Sequence, residues 1–383
     1  MKIPYGRQDI TPADIAAVTE VLQHDFLTQG PRIAQFEEQF AAYVGSKYAI
    51  AVANGTAALH LCALALDVQP GDRAITSPIT FAASANCISY CGGRVHFSDI
   101  DPETFLLDLD KVRRLLELHP QGHFKGIIPV DFAGYPVDLA AVRALADEHG
   151  LWMIEDSCHA PGAYRKRGSE VHFRAGDGQY ADLAIFSFHP VKHIACGEGG
   201  MITTNDPALY EKLTILRTHG ITKNPDLLAE NHGGWYYDMV DLGYNYRLTD
   251  MQCALGMSQL QRQTEYMARR QAIAQRYDAA FAGTSVKIPP RAADIYHAFH
   301  LYVVRVADRK GLYDHLRAQG IFAQVHYIPA HRLKFYRDQG WKTGDLPEAE
   351  RYYAHCLSLP MFPALTDAEQ AFVIEQVLAF TEQ

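Results

Sequence analysis

Tyr48-Ala49-Ile50-Ala51-Val52-Ala53-Asn54-Gly55-Thr56 is the stretch whose reading decides the fold. The apolar run reads as a strand, Asn54-Gly55-Thr56 as a turn, and the Ala/Leu-rich segment that follows as a helix. A glycine turn at a helix N-terminus offers backbone N–H groups, a hydroxyl and the positive end of the helix dipole to an anion. A plain turn with Thr56 as the helix cap has the same appearance.

The same alternation continues outward. Strand-like runs cover 73–77, 94–97, 126–130, 152–155, 183–186 and 201–204, with helix-length segments between many of them. This pattern predicts an α/β fold with a mostly parallel sheet flanked by helices. On the N-terminal side, 12–23 reads as a helix, 25–31 as a loop, and Phe36, Phe40 and Tyr43 mark a second helix. On the C-terminal side a long helix over 250–281 leads to a strand at 300–306 and a further helix, strand and helices. At 383 residues the chain exceeds the size of one core. We therefore expect a large domain over 1–255, including an N-terminal arm, and a smaller C-terminal α/β domain over 256–383.

Composition narrows the function classes. A net charge of −9 argues against nucleic acid and acidic membrane surfaces as partners. Residues 1–8 lack the apolar core of a signal peptide, and no run reaches the roughly 18 apolar residues of a bilayer span, so a cytoplasmic location is expected. The seven cysteines show no Cys-x-x-Cys pair, so neither a disulfide framework nor a metal site is expected.

The chemistry gathers at strand ends. Asp156 follows the strand ending at Ile154, where ligands of open α/β sheets bind, and could keep a pyridine nitrogen protonated. An Asp there could equally cap the next helix. His159 lies three residues on and could reach the same ring at its phenolic oxygen or over its face. Ser187 offers a hydroxyl to a phosphate, and Phe81 could stack on an aromatic cofactor or sit in the core. Lys192, just after an apolar strand, could give its amine to a carbonyl once partly desolvated. The order of phosphate turn, stacking ring, strand-end acid, hydroxyl and lysine describes one cofactor, pyridoxal phosphate.

Taken together, Glu155-Asp156-x-x-His159, Ser187-Phe188-His189-x-x-Lys192, Gly197-Glu198-Gly199-Gly200-Met201 and the run from Gly243 to Asp250 resemble the fold-type I pyridoxal-phosphate enzymes. Within these, the chain is similar over nearly its whole length to the DegT/StrS nucleotide-sugar aminotransferases. Five motifs look like those of the branch that aminates UDP-linked 4-keto sugars in pseudaminic acid biosynthesis: 3–8, 25–30, Pro78-Ile79-Thr80-Phe81, 187–192 and 323–327.

The resemblance implies that Lys192 is the Schiff-base lysine and proton carrier, Asp156 the partner of the ring nitrogen, and His159 the neighbour of the ring oxygen. It implies that Phe81 stacks on the ring, that Gly55, Thr56, Ala57 and Ser187 surround the phosphate, and that Asn245 reaches over from the second subunit of a homodimer. Tyr5, Asp25, Phe26, Leu27, Thr28, Gln324, Val325, His326 and Tyr327 would line the sugar-nucleotide site. The implied reaction carries an amino group from L-glutamate to UDP-2-acetamido-2,6-dideoxy-β-L-arabino-hex-4-ulose, giving UDP-4-amino-4,6-dideoxy-N-acetyl-β-L-altrosamine. Another nucleotide-linked 4-keto or 3-keto sugar is the alternative, and a non-catalytic regulator on the same fold a remote one. Related dehydratases replace the lysine by histidine, whereas Lys192 is kept. Ala57 stands where many relatives carry a hydroxyl, and Ala195-Cys196 replaces a more usual pair of threonines. The polar stretch Arg165 to Gln179 reads as a surface hairpin outside the chemistry.

Overall fold

The computed structural model describes residues 2–24 and 26–382. Its centre is a seven-stranded sheet of β1 (Tyr48–Val52), β2 (Arg73–Thr76), β3 (Arg94–Phe97), β4 (Gly126–Ile128), β5 (Trp152–Asp156), β6 (Leu183–Ser187) and β7 (Gly200–Thr204). The spatial order is β1-β7-β6-β5-β4-β2-β3. Strands β3, β2, β4, β5 and β6 run parallel, and β7 runs antiparallel to both β6 and β1. The connections among β2, β3, β4 and β5 lay helices on the sheet, β5 and β6 are joined through a hairpin, and the run Leu183-Ala184-Ile185-Phe186 is buried throughout. β7 instead returns beside β6 after the 188–199 loop, and that reversal leaves Lys192 above the carboxyl ends of the strands. Gly200 opens β7 against the turn after β1; a Cβ there would stand 2.6 Å from the Asn54 carbonyl carbon.

A second apolar core lies in the C-terminal part, built from residues between Ile273 and Val377 and joined by Ile3. The strand Ile3–Pro4 pairs in parallel with Ile321–Phe322, and Met361 N–H donates to the Tyr5 carbonyl (2.9 Å). The start of the chain is thereby fastened to the C-terminal core, carrying Tyr5 to the junction of the two parts.

The expected long helix over 250–281 is two helices, Asp250–Leu260 and Gln263–Phe281. Tertiary hydrogen bonds account for the break. Arg262 donates to Asp14 (2.6 Å), and the Gln263 amide donates to the His193 carbonyl (2.9 Å). The sequence boundary at 255 falls inside the first of these helices. The stretch after Ala163 forms a hairpin, Tyr164–Arg167 with Glu170–Arg174, extended by Ile295–Tyr296 into a three-stranded sheet. Among the described residues, no helix is long and apolar enough to cross a membrane.

Candidate active site

A cavity of about 1010 Å³ opens where the carboxyl ends of the sheet meet the C-terminal part. Asp156 reaches it as the last residue of β5 and is buried. The Ser84 hydroxyl donates to its Oδ2 (2.6 Å), and the Cys158 N–H donates to its Oδ1 (3.2 Å). The Ser84 proton is spent on Asp156, so the contact between Thr80 and Ser84 (2.7 Å) has Thr80 as donor. This Thr80–Ser84–Asp156 chain locks the carboxylate and leaves it further acceptor capacity for a ring N–H.

The turn after β1 is capped by Asn54, whose side-chain oxygen accepts the Ala57 N–H (2.8 Å), so the cap is Asn54 and not Thr56. Ala57 lines the cavity with its own N–H already used. The N–H groups of Gly55 and Thr56 have no acceptor among the described residues and stand at the helix N-terminus, an arrangement suited to a phosphate. A Cβ on Gly55 would lie 3.1 Å from the Ser187 Cβ and 3.5 Å from its hydroxyl, so the absent side chain forms the cradle between the two.

His159 is buried against the Phe132–Gly134 turn, where Ala133 adopts a left-handed φ of 59° and donates its N–H to Nδ1 (3.2 Å). A neutral ring that accepts at Nδ1 carries its proton on Nε2. That proton goes to the Tyr327 hydroxyl oxygen (3.2 Å), leaving the tyrosine's own proton for the cavity. Burial, reinforced by Lys192, His326 and His193, holds the His159 pKa well below the ordinary histidine value. His300 packs on its ring at 4.3 Å between centroids, its own Nδ1 buried and without a hydrogen-bond partner among the described residues.

Lys192 lines the cavity from a turn closed by its N–H to the His189 carbonyl (2.8 Å). Burial lowers its pKa below the ordinary lysine value, against the opposing pull of Cys158 and Asp156. The amine is therefore nearer its nucleophilic form than a solvated lysine. Phe81 stands 62% exposed with its ring in the opening. Tyr5, Gln324, Val325, His326 and Tyr327 line the opposite wall.

Thirteen of the sequence-selected positions thus meet in one cavity. Phe26, Leu27, Thr28 and Asn245 do not line it within one chain. Phe26 and Leu27 are exposed, Thr28 is bridged to Thr249, and Asn245 lies at the surface, bridged to Thr218. Asp25 lies outside the described residues. Sequence reading missed Ser84, Thr80, Cys158 and His300. Only the one-turn spacing of Thr80 and Ser84 hinted at the first two.

Orphaned N–H groups, a cradle open beside Ser187, a strand-end carboxylate with acceptor capacity left and a desolvated lysine fit pyridoxal phosphate. Comparison with known proteins agrees. The spore coat polysaccharide biosynthesis protein SpsC of Bacillus subtilis is 39% identical over 98% of this chain and 96% of its own. A putative sugar aminotransferase of Streptococcus pneumoniae, solved in its PMP form, superposes with a TM-score of 0.91 at 29% identity, covering 100% of this chain and 99% of that one. Helicobacter pylori PseC, an aminotransferase involved in the biosynthesis of pseudoaminic acid, superposes with a TM-score of 0.88 at 30% identity, covering 100% of both chains. Residues 8–378 match the DegT/DnrJ/EryC1/StrS aminotransferase family; the chain belongs to it and is a pyridoxal-phosphate-dependent sugar aminotransferase.

Proposed function

We propose that this enzyme moves an amino group from L-glutamate to the 4-keto carbon of UDP-2-acetamido-2,6-dideoxy-β-L-arabino-hex-4-ulose, giving UDP-4-amino-4,6-dideoxy-N-acetyl-β-L-altrosamine. The observation that carries the transamination is the convergence of Lys192, Asp156 and the capped Gly55–Thr56 turn on one cavity. Support for the sugar is the likeness to PseC over the whole chain.

Pyridoxal phosphate, when bound, supplies an aldehyde that carries the amino group and a ring that withdraws electrons. Lys192 would hold that aldehyde, and its partly desolvated amine would serve as the base that takes a proton from the donor's α-carbon. Asp156, fixed by Ser84, keeps a proton on the ring nitrogen. His159 holds Tyr327 so that the phenol offers a hydrogen bond to an oxygen of the bound ligands. Gly55, Thr56 and Ser187 would anchor the phosphate end, with Ala57 beside them, and Phe81 would cover the ring. Tyr5 and Gln324 to Tyr327 form the wall facing the sugar.

The surface positions of Phe26, Leu27, Thr28 and Asn245 favour a homodimer in which these residues complete the partner's cavity. Exposed Trp235, Tyr237, Met239, Val240 and Leu242 lie just before Asn245, an apolar stretch suited to such an interface. The large part, through about residue 255, holds the cofactor, and the smaller C-terminal part closes over it.

A second reading, another nucleotide-linked 4-keto or 3-keto sugar, is favoured by the higher identity to SpsC. The purified enzyme is to be offered glutamate with the β-L-arabino 4-keto sugar, its D-configured 4-keto isomer and a 3-keto isomer, and the products resolved by NMR. Amination at C4 of the first alone supports the proposal; preference for either other sugar replaces the substrate and keeps the reaction.

A further inference from the structure

A second cavity, of about 350 Å³, lies at the junction of the two cores and takes no part in the chemistry above. Its lining includes Lys287, Arg305, Arg351 and His355 against a single carboxylate, Glu348, on a chain whose net charge is −9. Glu348 is already paired with Arg351 (2.9 Å). Lys287 and Arg305 have no carboxylate within ion-pair distance among the described residues.

The cations are held by backbone pairing. Lys287 and Arg305 exchange backbone hydrogen bonds (3.0 and 2.9 Å), which sets their side chains side by side. The Arg305 guanidinium lies 4.8 Å over the Phe105 ring, and Phe105 packs on Tyr352 at 4.6 Å between centroids. Phe105 takes that place with a left-handed φ of 65°, an unfavourable conformation for a bulky side chain. The preceding loop enforces it, since Asp101 Oδ1 accepts from the N–H of Glu103 (3.0 Å) and from the N–H (2.6 Å) and hydroxyl (2.8 Å) of Thr104. Tyr352 is fixed from the other side by its hydroxyl, which donates to the His326 carbonyl (2.7 Å). A strained Phe105 held by its loop beneath a half-buried guanidinium with no carboxylate partner among the described residues is the mark of a built site and not of a solvated charged face.

We propose that this cavity is a second ligand site, which binds the phosphate group of a small phosphorylated molecule through Lys287 and Arg305. Phosphate is the anion that a guanidinium fork and an adjacent ammonium recognise together. Burial, which lowers the Arg305 pKa, also strengthens its attraction for an anion that displaces water from the cavity. The site is independent of the sugar substrate proposed above.

The test is calorimetric titration of the cofactor-loaded enzyme with inorganic pyrophosphate, using wild type, Lys287→Gln, Arg305→Gln and Glu348→Gln. Lys287 is exposed, so its replacement leaves the fold intact, and retained visible absorbance of the cofactor checks all three variants. Wild type is expected to bind saturably, with affinity lowered about tenfold in each cation variant and raised when the Glu348 charge is removed. No saturable binding up to millimolar pyrophosphate, or the same affinity in Lys287→Gln and Arg305→Gln as in wild type, overturns the proposal. Weaker binding in Glu348→Gln also overturns it.

Discussion

Lys192 and Asp156 were legible because each follows an apolar strand, and a strand end is where an open sheet presents side chains to a ligand. Ser84 was not legible: it meets Asp156 across 72 positions, and nothing local marks that contact. His300 was hidden in the same way, since its tilted ring contact with His159 exists only once the C-terminal part docks. Lys192→Ala is expected to lower turnover by about a thousandfold or more and to abolish the visible absorbance of the purified enzyme. Coloured protein with normal rate would remove Lys192 from its role. The Ala133 N–H fixes the His159 tautomer, and His159 in turn leaves the phenol proton facing the ligands. Tyr327→Phe should therefore slow turnover roughly tenfold while the cofactor still binds, read from steady-state rates beside the absorbance spectrum.

At the scale of elements, strand-turn-helix units were readable because apolar runs and glycine turns are local signals. The interruption at 261–262 was not, because partners far along the chain, Asp14 and His193, produce it. The turn after β1 shows how an element makes a site: Asn54 caps the helix and so frees the N–H groups of Gly55 and Thr56. Gly55→Ala would fill the cradle against Ser187, and cofactor retention on dialysis should drop about tenfold with the helix intact. Beneath the site, the Ser157 hydroxyl contacts both Asp131 (2.8 Å) and Glu155 (2.6 Å). One hydroxyl proton cannot serve two carboxylates, and burial beside Asp131 holds the Glu155 pKa well above its ordinary value, so Glu155 carries a proton. Glu155→Gln keeps the shape and hydrogen bonds, whereas Glu155→Ala leaves a cavity and unpaired groups costing about 3 kcal/mol. The urea midpoint should fall clearly more for alanine than for glutamine.

Across the whole molecule, His159, His193, His297, His300 and His326 are all buried, and burial is the first cause lowering each pKa, that of His326 to about 3. A histidine with a depressed folded pKa binds its proton more readily in the unfolded chain. Each therefore adds stability above the unfolded pKa of about 6.5, lost as pH falls toward the folded value at up to about 1.4 kcal/mol per pH unit. Asp131, raised to about 6 chiefly by burial, and Glu155 act in the opposite direction, their folded forms holding protons that the unfolded chain releases above about pH 4. Five groups outweigh two, so the thermal midpoint should decline as pH is lowered from about 6.5 toward 4; a midpoint that rises over that range would show that these histidines are not buried neutral. The α/β fold and its mostly parallel sheet were readable from the alternation of strand-like and helix-length segments. The tying of Ile3 into the C-terminal core was not, since a two-residue strand carries no periodicity. The site draws on both parts, and the measurement that tests it most directly is mass spectrometry of the nucleotide sugar after incubation with heavy-nitrogen L-glutamate and the UDP-linked 4-keto sugar. Stoichiometric appearance of the heavy nitrogen in an amino sugar, matched by 2-oxoglutarate, is expected; an unlabelled or unaminated sugar with active, coloured enzyme would contradict amino transfer from glutamate to that substrate.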